Sequence, residues 1–226
     1  MAKAEGLPIA VHLAESPAES AFVSRNEGPF AEAWRARGIP PLERHDPSPG
    51  ARRSPVQWLD HHGVLSERTL VIHAVQVDAG DLGILARRGA AIAHCPVSNA
   101  RHGHGSAPSA AMLAAGLRVA VGTDSVISVD RLDMFAELRA ARALLGASAR
   151  DTLALGTMAG AALLGMPGRA GCLEIGRFAD LISVSVPETD DPNAVEDLVL
   201  AAGPDRVETT WVTGRLVHRK VRRLDS

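Results

Sequence analysis

The chain has 226 residues, of which 46% are hydrophobic and 22% charged, and its formal net charge is -2. This composition is typical of a soluble globular protein with one large domain, or one and a fraction. A near-neutral charge, 3% aromatic residues and no tyrosine argue against a nucleic-acid partner, because both the basic footprint and the stacking platforms are missing.

The same composition bears on the compartment. No run approaches the ~18 consecutive apolar residues of a membrane helix, and the first residues lack the apolar core of a secretion signal. Cys95 and Cys172 are far apart and form no CxxC pair, which fits a reducing environment. We therefore predict a cytoplasmic protein with no membrane partner.

Short apolar runs alternate with segments of helical periodicity, which predicts βα units and a parallel sheet. The predicted strands are PIAVHLAE from Pro8, TLVIHA from Thr69, AAIAHCP from Ala90 and RVAVGTD from Arg118. Two intervening segments, DAGDLGILARRG and PSAAMLAAGL, are predicted helices, each ending near a glycine. The stretch from about Gly28 to Pro55 is rich in Pro, Gly and Arg and is predicted to be a loop excursion.

The second half of the chain changes character along its length. VDRLDMFAELRAARALLGA and ARDTLALGTMAGAALLG each have the pattern of one amphipathic helix. From GCLEIGRFADLISVSV onward the alternation is of the β type, and VETTWVTGRLVHRK predicts a hairpin with its turn at Thr213 and Gly214. We therefore place a domain boundary near Pro167, between residues 1–166 and residues 167–226.

Polar side chains stand at or just past the carboxyl ends of the four predicted strands, namely His12, His73, His94 and Asp124. This edge of a parallel sheet or barrel is where sites are built. One histidine in such a place is usually only a polar loop residue, but four in succession favour a site. Imidazole and carboxylate suit zinc and related divalent ions, and Glu15 follows His12 closely enough to be a candidate proton carrier.

Six stretches together resemble the C-terminal half of the amidohydrolase superfamily, in its deaminase and chlorohydrolase branch. They are VHLAES, VIHA, AIAHCPVSNA, VAVGTDS, LDMFAELR and GCLEIGRFADLI. That branch includes adenosylhomocysteine, methylthioadenosine, guanine and aminodeoxyfutalosine deaminases, and the resemblance extends from about Leu7 to Lys220. It implies an α/β fold that is the C-terminal half, strands five to eight, of a (β/α)₈ TIM barrel, with part of a small β-sandwich.

The resemblance also implies roles for individual residues. His12 and Asp124 match metal ligands for one divalent ion, with zinc favoured and iron the alternative. Glu15 and His73 match the pair that shuttles protons. Asp124 would also take a proton from the attacking water, Glu15 would protonate a ring nitrogen, and ammonia would leave. For His94 two roles stay open, lining the substrate pocket or holding its loop.

Five other polar residues attract weaker hypotheses. His102 and His104 have the HxH spacing of the superfamily's first strand, but no apolar run precedes them, so metal binding is not expected. His61 and His62 end a helical segment and are expected at the surface. Ser125 either orients Asp124 through its hydroxyl or caps the following turn.

The length departs from the family pattern. A (β/α)₈ barrel takes about 250 residues, and only one strand precedes Glu15, so strands one to four and the first-strand HxH pair are absent. Half a barrel leaves unpaired strand edges. We therefore expect the isolated chain to be inactive and either to self-associate or to need an N-terminal half.

The function implied is that of a metal-dependent hydrolase of C–N bonds acting on a small molecule. HLAESPAES and EGPFAEAW resemble the aminodeoxyfutalosine deaminase subset more than guanine deaminases, which favours hydrolytic deamination of an aminopurine nucleoside derivative. The alternatives are a chlorohydrolase-like enzyme, a guanine-type deaminase, and a catalytically inactive remnant or accessory subunit.

Overall fold

The computed structural model describes residues 5–42 and 53–221. The chain divides into two compact units, Met1–Val119 and Ala120–Ser226. The strands are β1 (Ile9–Leu13), β2 (Thr69–His73), β3 (Ala91–His94), β4 (Arg118–Val121), β5 (Leu181–Val184), β6 (Val207–Val212) and β7 (Arg215–Arg219). The helices are α1 (Pro17–Arg25), α2 (Pro29–Ala36), α3 (Pro55–His61), α4 (Ala79–Arg88), α5 (Pro96–Arg101), α6 (Ser109–Ala114), α7 (Val126–Val129), α8 (Met134–Leu145), α9 (Ala149–Gly156), α10 (Met158–Leu163) and α11 (Val195–Ala201).

The first sheet has the strand order β1-β2-β3-β4, and the boundary between the two units falls within β4. β1 runs parallel to β2, and β2 runs parallel to β3. Helices separate β1 from β2 and β2 from β3 along the chain, as parallel neighbours require. The predicted α/β fold with a parallel sheet is confirmed, and all four predicted strands form. The half-barrel stays a prediction.

The core of the first unit lies on the helix-facing side of this sheet. Val71 of β2 and Ile92 of β3 are fully buried, as are Leu85 of α4 and Met112 of α6. Burying one such side chain contributes roughly 1.5–3 kcal/mol. The predicted helix around α4 is confirmed and ends at Gly89, whose φ of 68° is the left-handed conformation that glycine adopts without steric cost.

The predicted loop excursion from Gly28 is wrong over α2. Proline suits the first turn of a helix, where its missing N–H has no partner to lose, so Pro29 begins a helix rather than preventing one. Phe22 of α1 contacts Trp34 of α2 edge to face, with 4.8 Å between ring centroids. This aromatic contact holds the two helices together. Residues 43–52 of the predicted loop lie outside the described residues.

The single helix predicted over residues 149–165 is also wrong, because the chain breaks at Thr157 into α9 and α10. Thr157 has φ -124° and ψ -91°, and its hydroxyl donates to the Leu153 carbonyl at 2.8 Å. Gly171 packs on the broken turn: a Cβ added to it would lie 2.8 Å from the Met158 Cα. The backbone at Gly171 therefore approaches the broken turn so closely that a side chain at this position would clash with it.

The second unit contains an antiparallel sheet of order β5-β6-β7. The predicted hairpin is confirmed, with Thr213 and Gly214 at φ 49° and 77° in its turn. This sheet begins at Leu181, after the predicted domain boundary near Pro167, which stays a prediction. α11 was not predicted and interrupts the expected β-type pattern. Within residues 5–42 and 53–221, no helix combines the length and apolar character needed to cross a membrane.

Candidate active site

The turn that follows β1 is fixed by one carboxylate. The backbone N–H groups of Ala14 and Glu15 donate to the two oxygens of Glu19, at 2.9 and 2.7 Å. Ala14 is fully buried with φ 52°, and its carbonyl accepts from the N–H groups of Val75 and Gln76 at 2.9 and 2.7 Å. These bonds join the loop after β1 to the loop after β2, and they fix the backbone that carries Glu15.

His73 ends β2 and is completely buried. Its Nδ1 lies 2.8 Å from Oδ1 of Asn99, a buried residue of α5. An amide oxygen only accepts hydrogen bonds, so this contact places a proton on Nδ1 of His73. In the neutral ring Nε2 then carries the lone pair.

His12 and His73 lie side by side at the edge of the sheet. Their ring centroids are 5.2 Å apart with planes tilted by 45°, and their ring nitrogens approach within 4.8 Å. In the β1–β2 register His12 pairs with Ile72, so regular alternation would direct His12 and His73 to opposite faces. His73 has φ 75°, a conformation rare for a residue with a side chain, and this departure at the strand end accompanies the approach of the two rings.

Glu15 lies against His73. Its Oε1 is 3.5 Å from Nε2 of His73, and its side chain is 26% exposed, whereas that of His73 is 0% exposed. Because Nδ1 of His73 already holds a proton, an unprotonated Nε2 would set a lone pair against a carboxylate. One proton between Nε2 and Oε1 removes this repulsion. The geometry therefore suits a pair that holds and transfers one proton.

His94 ends β3 and is 1% exposed. Both ring nitrogens are withdrawn from solvent and have no hydrogen-bond partner among the described residues. Burial and, to a smaller extent, the charge of the neighbouring His73 together lower the pKa of His94 from 6.5 to about 4. His94 is therefore neutral at pH 7, and it offers a buried donor and a buried acceptor.

Asp124 belongs to the second unit and follows β4 by three residues. It has φ 59°, and its Oδ1 accepts from the Ser125 backbone N–H at 2.8 Å. The Ser125 hydroxyl instead lies 3.2 Å from the Ser128 hydroxyl, and it does not cap α7. Ser125 thus contacts the Asp124 carboxylate through its backbone rather than through the predicted hydroxyl.

The structure brings His12, Glu15 and His73 together. It also adds two residues whose contacts with His73 and Glu15 the sequence did not predict. These are Asn99 and His104, whose Nδ1 lies 3.3 Å from Glu15 Oε1. Asn99 carried a signal, since it closes the PVSN stretch of the family-like motif. His104 carried none beyond its HxH spacing, from which metal binding was not expected.

Three other histidines among the described residues, His61, His62 and His102, lie at the protein surface. His61 and His62 are exposed at the end of α3, and the His62 ring lies 4.7 Å from that of Trp58. His102 is exposed, and its ring stacks on that of His104 at 5.4 Å.

The chain belongs to the amidohydrolase family, whose model matches residues 1–217. It is similar to a 5-methylthioadenosine/S-adenosylhomocysteine deaminase of Teredinibacter turnerae, with 38% identity over 174 residues, 72% of this chain and 39% of that protein. A protein of the same name from Nitratidesulfovibrio vulgaris is 33% identical over 229 residues, 96% of this chain and 46% of the relative. The chain thus spans less than half the length of these curated relatives.

A solved structure supports the same relationship. An adenosine deaminase from Xanthomonas campestris with bound zinc has a TM-score of 0.74 and 28% sequence identity. The match covers 95% of this chain and 46% of that one. The resemblance read from the six sequence stretches is therefore confirmed at the level of the family.

Proposed function

We propose that the chain supplies the C-terminal half of a metal-dependent amidohydrolase that deaminates an aminopurine nucleoside derivative. The observation that carries this proposal is the 3.5 Å contact between Glu15 Oε1 and His73 Nε2, at the carboxyl ends of adjacent parallel strands. The names of the two curated relatives support the substrate class, because both of their substrates carry an amino group on a purine ring.

The donor set fits one divalent ion, with zinc favoured over iron. His12 and Asp124 would hold it, since imidazole and carboxylate are common zinc ligands. His12 is the last residue but one of β1 and is exposed, and Asp124 follows β4, so each lies at or near the carboxyl end of its strand, in the order the family pattern requires. When bound, the ion supplies a Lewis acid that lowers the pKa of water.

The chain's own residues would move the protons. Glu15 and His73 hold one proton between Oε1 and Nε2, and Glu15 passes a proton to a ring nitrogen of the substrate. Asp124 takes a proton from the water that attacks the carbon bearing the amino group. The C–N bond then breaks and the amino group leaves as ammonia, so one water is consumed for each ammonia released.

His94 is assigned to the substrate pocket rather than to loop support. Its two buried ring nitrogens have no partner among the described residues, and such groups cost free energy unless a ligand or water satisfies them. A neutral imidazole can donate to a substrate acceptor at one nitrogen and accept from a substrate donor at the other.

The proposal includes a partner, either an N-terminal half or a second copy of the chain. The curated relatives are more than twice as long as the matched part, and β1 stands at one end of the strand order. In this reading residues 1–166 are strands five to eight of a TIM barrel, and residues 167–226 are part of a composite β-sandwich. An exposed strand edge recruits such a partner.

The test is product formation from a panel of substrates. The 226-residue chain is assayed with zinc, alone and co-expressed with the N-terminal segment of the Nitratidesulfovibrio relative. Ammonia release is measured with 5-methylthioadenosine, S-adenosylhomocysteine and guanine, and chloride release with a chlorotriazine. We expect turnover of the two nucleosides only in the co-expressed complex.

Variants assign that turnover to this chain. Glu15→Gln should reduce the rate by about 10²-fold or more, as loss of a proton-transferring group does. Glu27→Gln, at an exposed carboxylate paired with Arg25, should leave the rate unchanged. Turnover confined to guanine or chlorotriazine would refute the substrate class. No turnover in any arm would identify an inactive remnant.

A further inference from the structure

Glu15 is contacted by two imidazoles at the same oxygen. Oε1 lies 3.5 Å from His73 Nε2 on one side and 3.3 Å from His104 Nδ1 on the other. His73 is inaccessible, whereas 21% of the His104 side chain is exposed. Among the described residues Oε2 of Glu15 makes no hydrogen bond or ion pair. The carboxylate is thus flanked at one oxygen and open at the other.

The backbone of His104 is held in this place from two directions. Its N–H donates to the Asn99 carbonyl at 3.0 Å, and its own carbonyl accepts from Gln76 Nε2 at 2.6 Å. Gln76 is itself bound to the loop before Glu15, because its N–H donates to the Ala14 carbonyl. His104 is therefore fixed to the same loops that carry Glu15 and His73.

Four residues, including Glu15, form a closed ring of contacts. His73 meets the Asn99 side chain, the Asn99 carbonyl accepts from His104, the His104 ring meets Glu15, and Glu15 meets His73. The Nδ1 atom of His104 is withdrawn from solvent and lacks a fully formed hydrogen bond. Oε1 of Glu15 lies 3.3 Å from this atom, so a small rotation of either side chain would complete a hydrogen bond between them.

We propose that His104 is a positioning residue for Glu15, and that it donates from Nδ1 to Oε1 and holds the carboxylate against His73. This inference rests on the proposed role of Glu15 as the proton carrier. With Oε1 held on both sides, Oε2 is left to meet a substrate ring nitrogen. A carboxylate fixed in this way does not need to be reoriented at each turnover, which is how positioning lowers a barrier.

Three variants distinguish the effect of the His104 ring nitrogen from the effect of altering the loop that carries it. His104→Leu removes the donor, while His104→Asn retains one, because the side-chain amide of asparagine reaches about as far as histidine Nδ1. His102→Leu is the matched control, since His102 belongs to the same loop and stacks on His104 but has no contact with Glu15 among those described.

The first readout needs no activity. The side-chain carboxyl ¹³C resonance of Glu15 is assigned in the labelled 226-residue chain by its loss in Glu15→Gln. We expect His104→Leu to shift this resonance, and His104→Asn and His102→Leu to leave it near the wild-type position. An unshifted resonance in His104→Leu, or an equal shift in His102→Leu, would overturn the inference.

The second readout is turnover in the complex with an N-terminal half. His104→Leu should lower kcat by about 10- to 100-fold with little change in KM, and His104→Asn should recover most of it. A loss confined to KM, or no recovery with asparagine, would overturn a positioning role. If the wild type has no deaminase activity, the proposed function fails, while the Glu15 resonance still decides whether His104 holds the carboxylate.

Discussion

His73 and Asn99 form a buried side-chain hydrogen bond of 2.8 Å that joins the end of β2 to α5. The bond places a proton on His73 Nδ1, so Nε2 is the ring nitrogen that exchanges a proton with Glu15 in the proposed mechanism. The acid–base character of the site thus depends on Asn99, a residue to which the proposed mechanism gives no proton-transfer or metal-binding role.

Asn99→Ala should destabilise the chain as well as disturb the site. The substitution leaves His73 Nδ1 buried without its acceptor, and such a loss costs about 1–3 kcal/mol in the free energy of unfolding. Urea denaturation measures this value. Asn193→Ala, at an exposed residue that bonds only locally to Asp191, should change it by less than about 0.5 kcal/mol. Equal effects of the two variants would contradict the role given to Asn99.

Metal binding should require His12 and Asp124 together. We expect the chain to bind zinc weakly, because two protein ligands fall short of the three usual in catalytic zinc sites. Elemental analysis after dialysis against zinc should show bound metal in the wild type and a loss in a His12→Ala, Asp124→Asn double variant. A His218→Ala, Asp190→Asn variant, altered at two exposed positions, serves as the control. Unchanged metal content in the first double variant would refute the assignment.

His94 should make the stability depend on pH. Its pKa is lowered from 6.5 to about 4 in the folded chain, so the unfolded chain binds the proton more readily between these values. The contribution of His94 to the free energy of unfolding is therefore fully present above pH 6.5, and it is lost as the pH falls toward about 4. The loss is on the order of 3 kcal/mol, at 1.36 kcal/mol per pKa unit.

Urea denaturation from pH 7 to pH 4, with a chelator present, tests this dependence. His94→Gln removes the titrating ring and should flatten the profile relative to the wild type. His218→Gln, at an exposed histidine, should follow the wild type. Parallel profiles for wild type and His94→Gln would show that His94 is not the source.

Two glycines near the end of α10 should differ in their response to alanine. Gly168 has φ 73° and open space around it, so Gly168→Ala meets only the cost of a left-handed residue, roughly 1–2 kcal/mol. Gly171 has φ 92°, and an added Cβ would lie 2.9 Å from the Thr157 carbonyl oxygen. Overpacking adds about 1–3 kcal/mol at Gly171. Thermal unfolding of both variants measures the difference, and equal midpoints would contradict the close approach.

The parts of the fold that depend on local pattern could be predicted from the sequence. The apolar runs predicted all four strands of the parallel sheet, and a glycine marked the end of α4. His12, His73 and Glu15 could be grouped because the carboxyl ends of parallel strands meet at one edge.

The rest depends on contacts between segments distant in the chain. α5 begins directly at Pro96, and its single turn and a half is too short for periodicity to reveal. The PVSN stretch marks Asn99 as a motif residue, but it does not identify His73 as the partner of its side chain. His104 approaches Glu15 because Gln76 holds its carbonyl, a contact 28 residues apart. Gly171 likewise packs on the break at Thr157 from 14 residues further along the chain, a contact that local pattern does not reveal.

The Ala14 carbonyl, which accepts from Val75 and Gln76, also sets how the site opens. Two amides that share one acceptor are released by the same local fluctuation, so their hydrogens should exchange with solvent at one common opening free energy. While that turn is open, the loop after β1 no longer holds Glu15 beside His73. The fraction of molecules able to pass a proton is therefore the closed fraction, and the exchange protection of these two amides reports it directly.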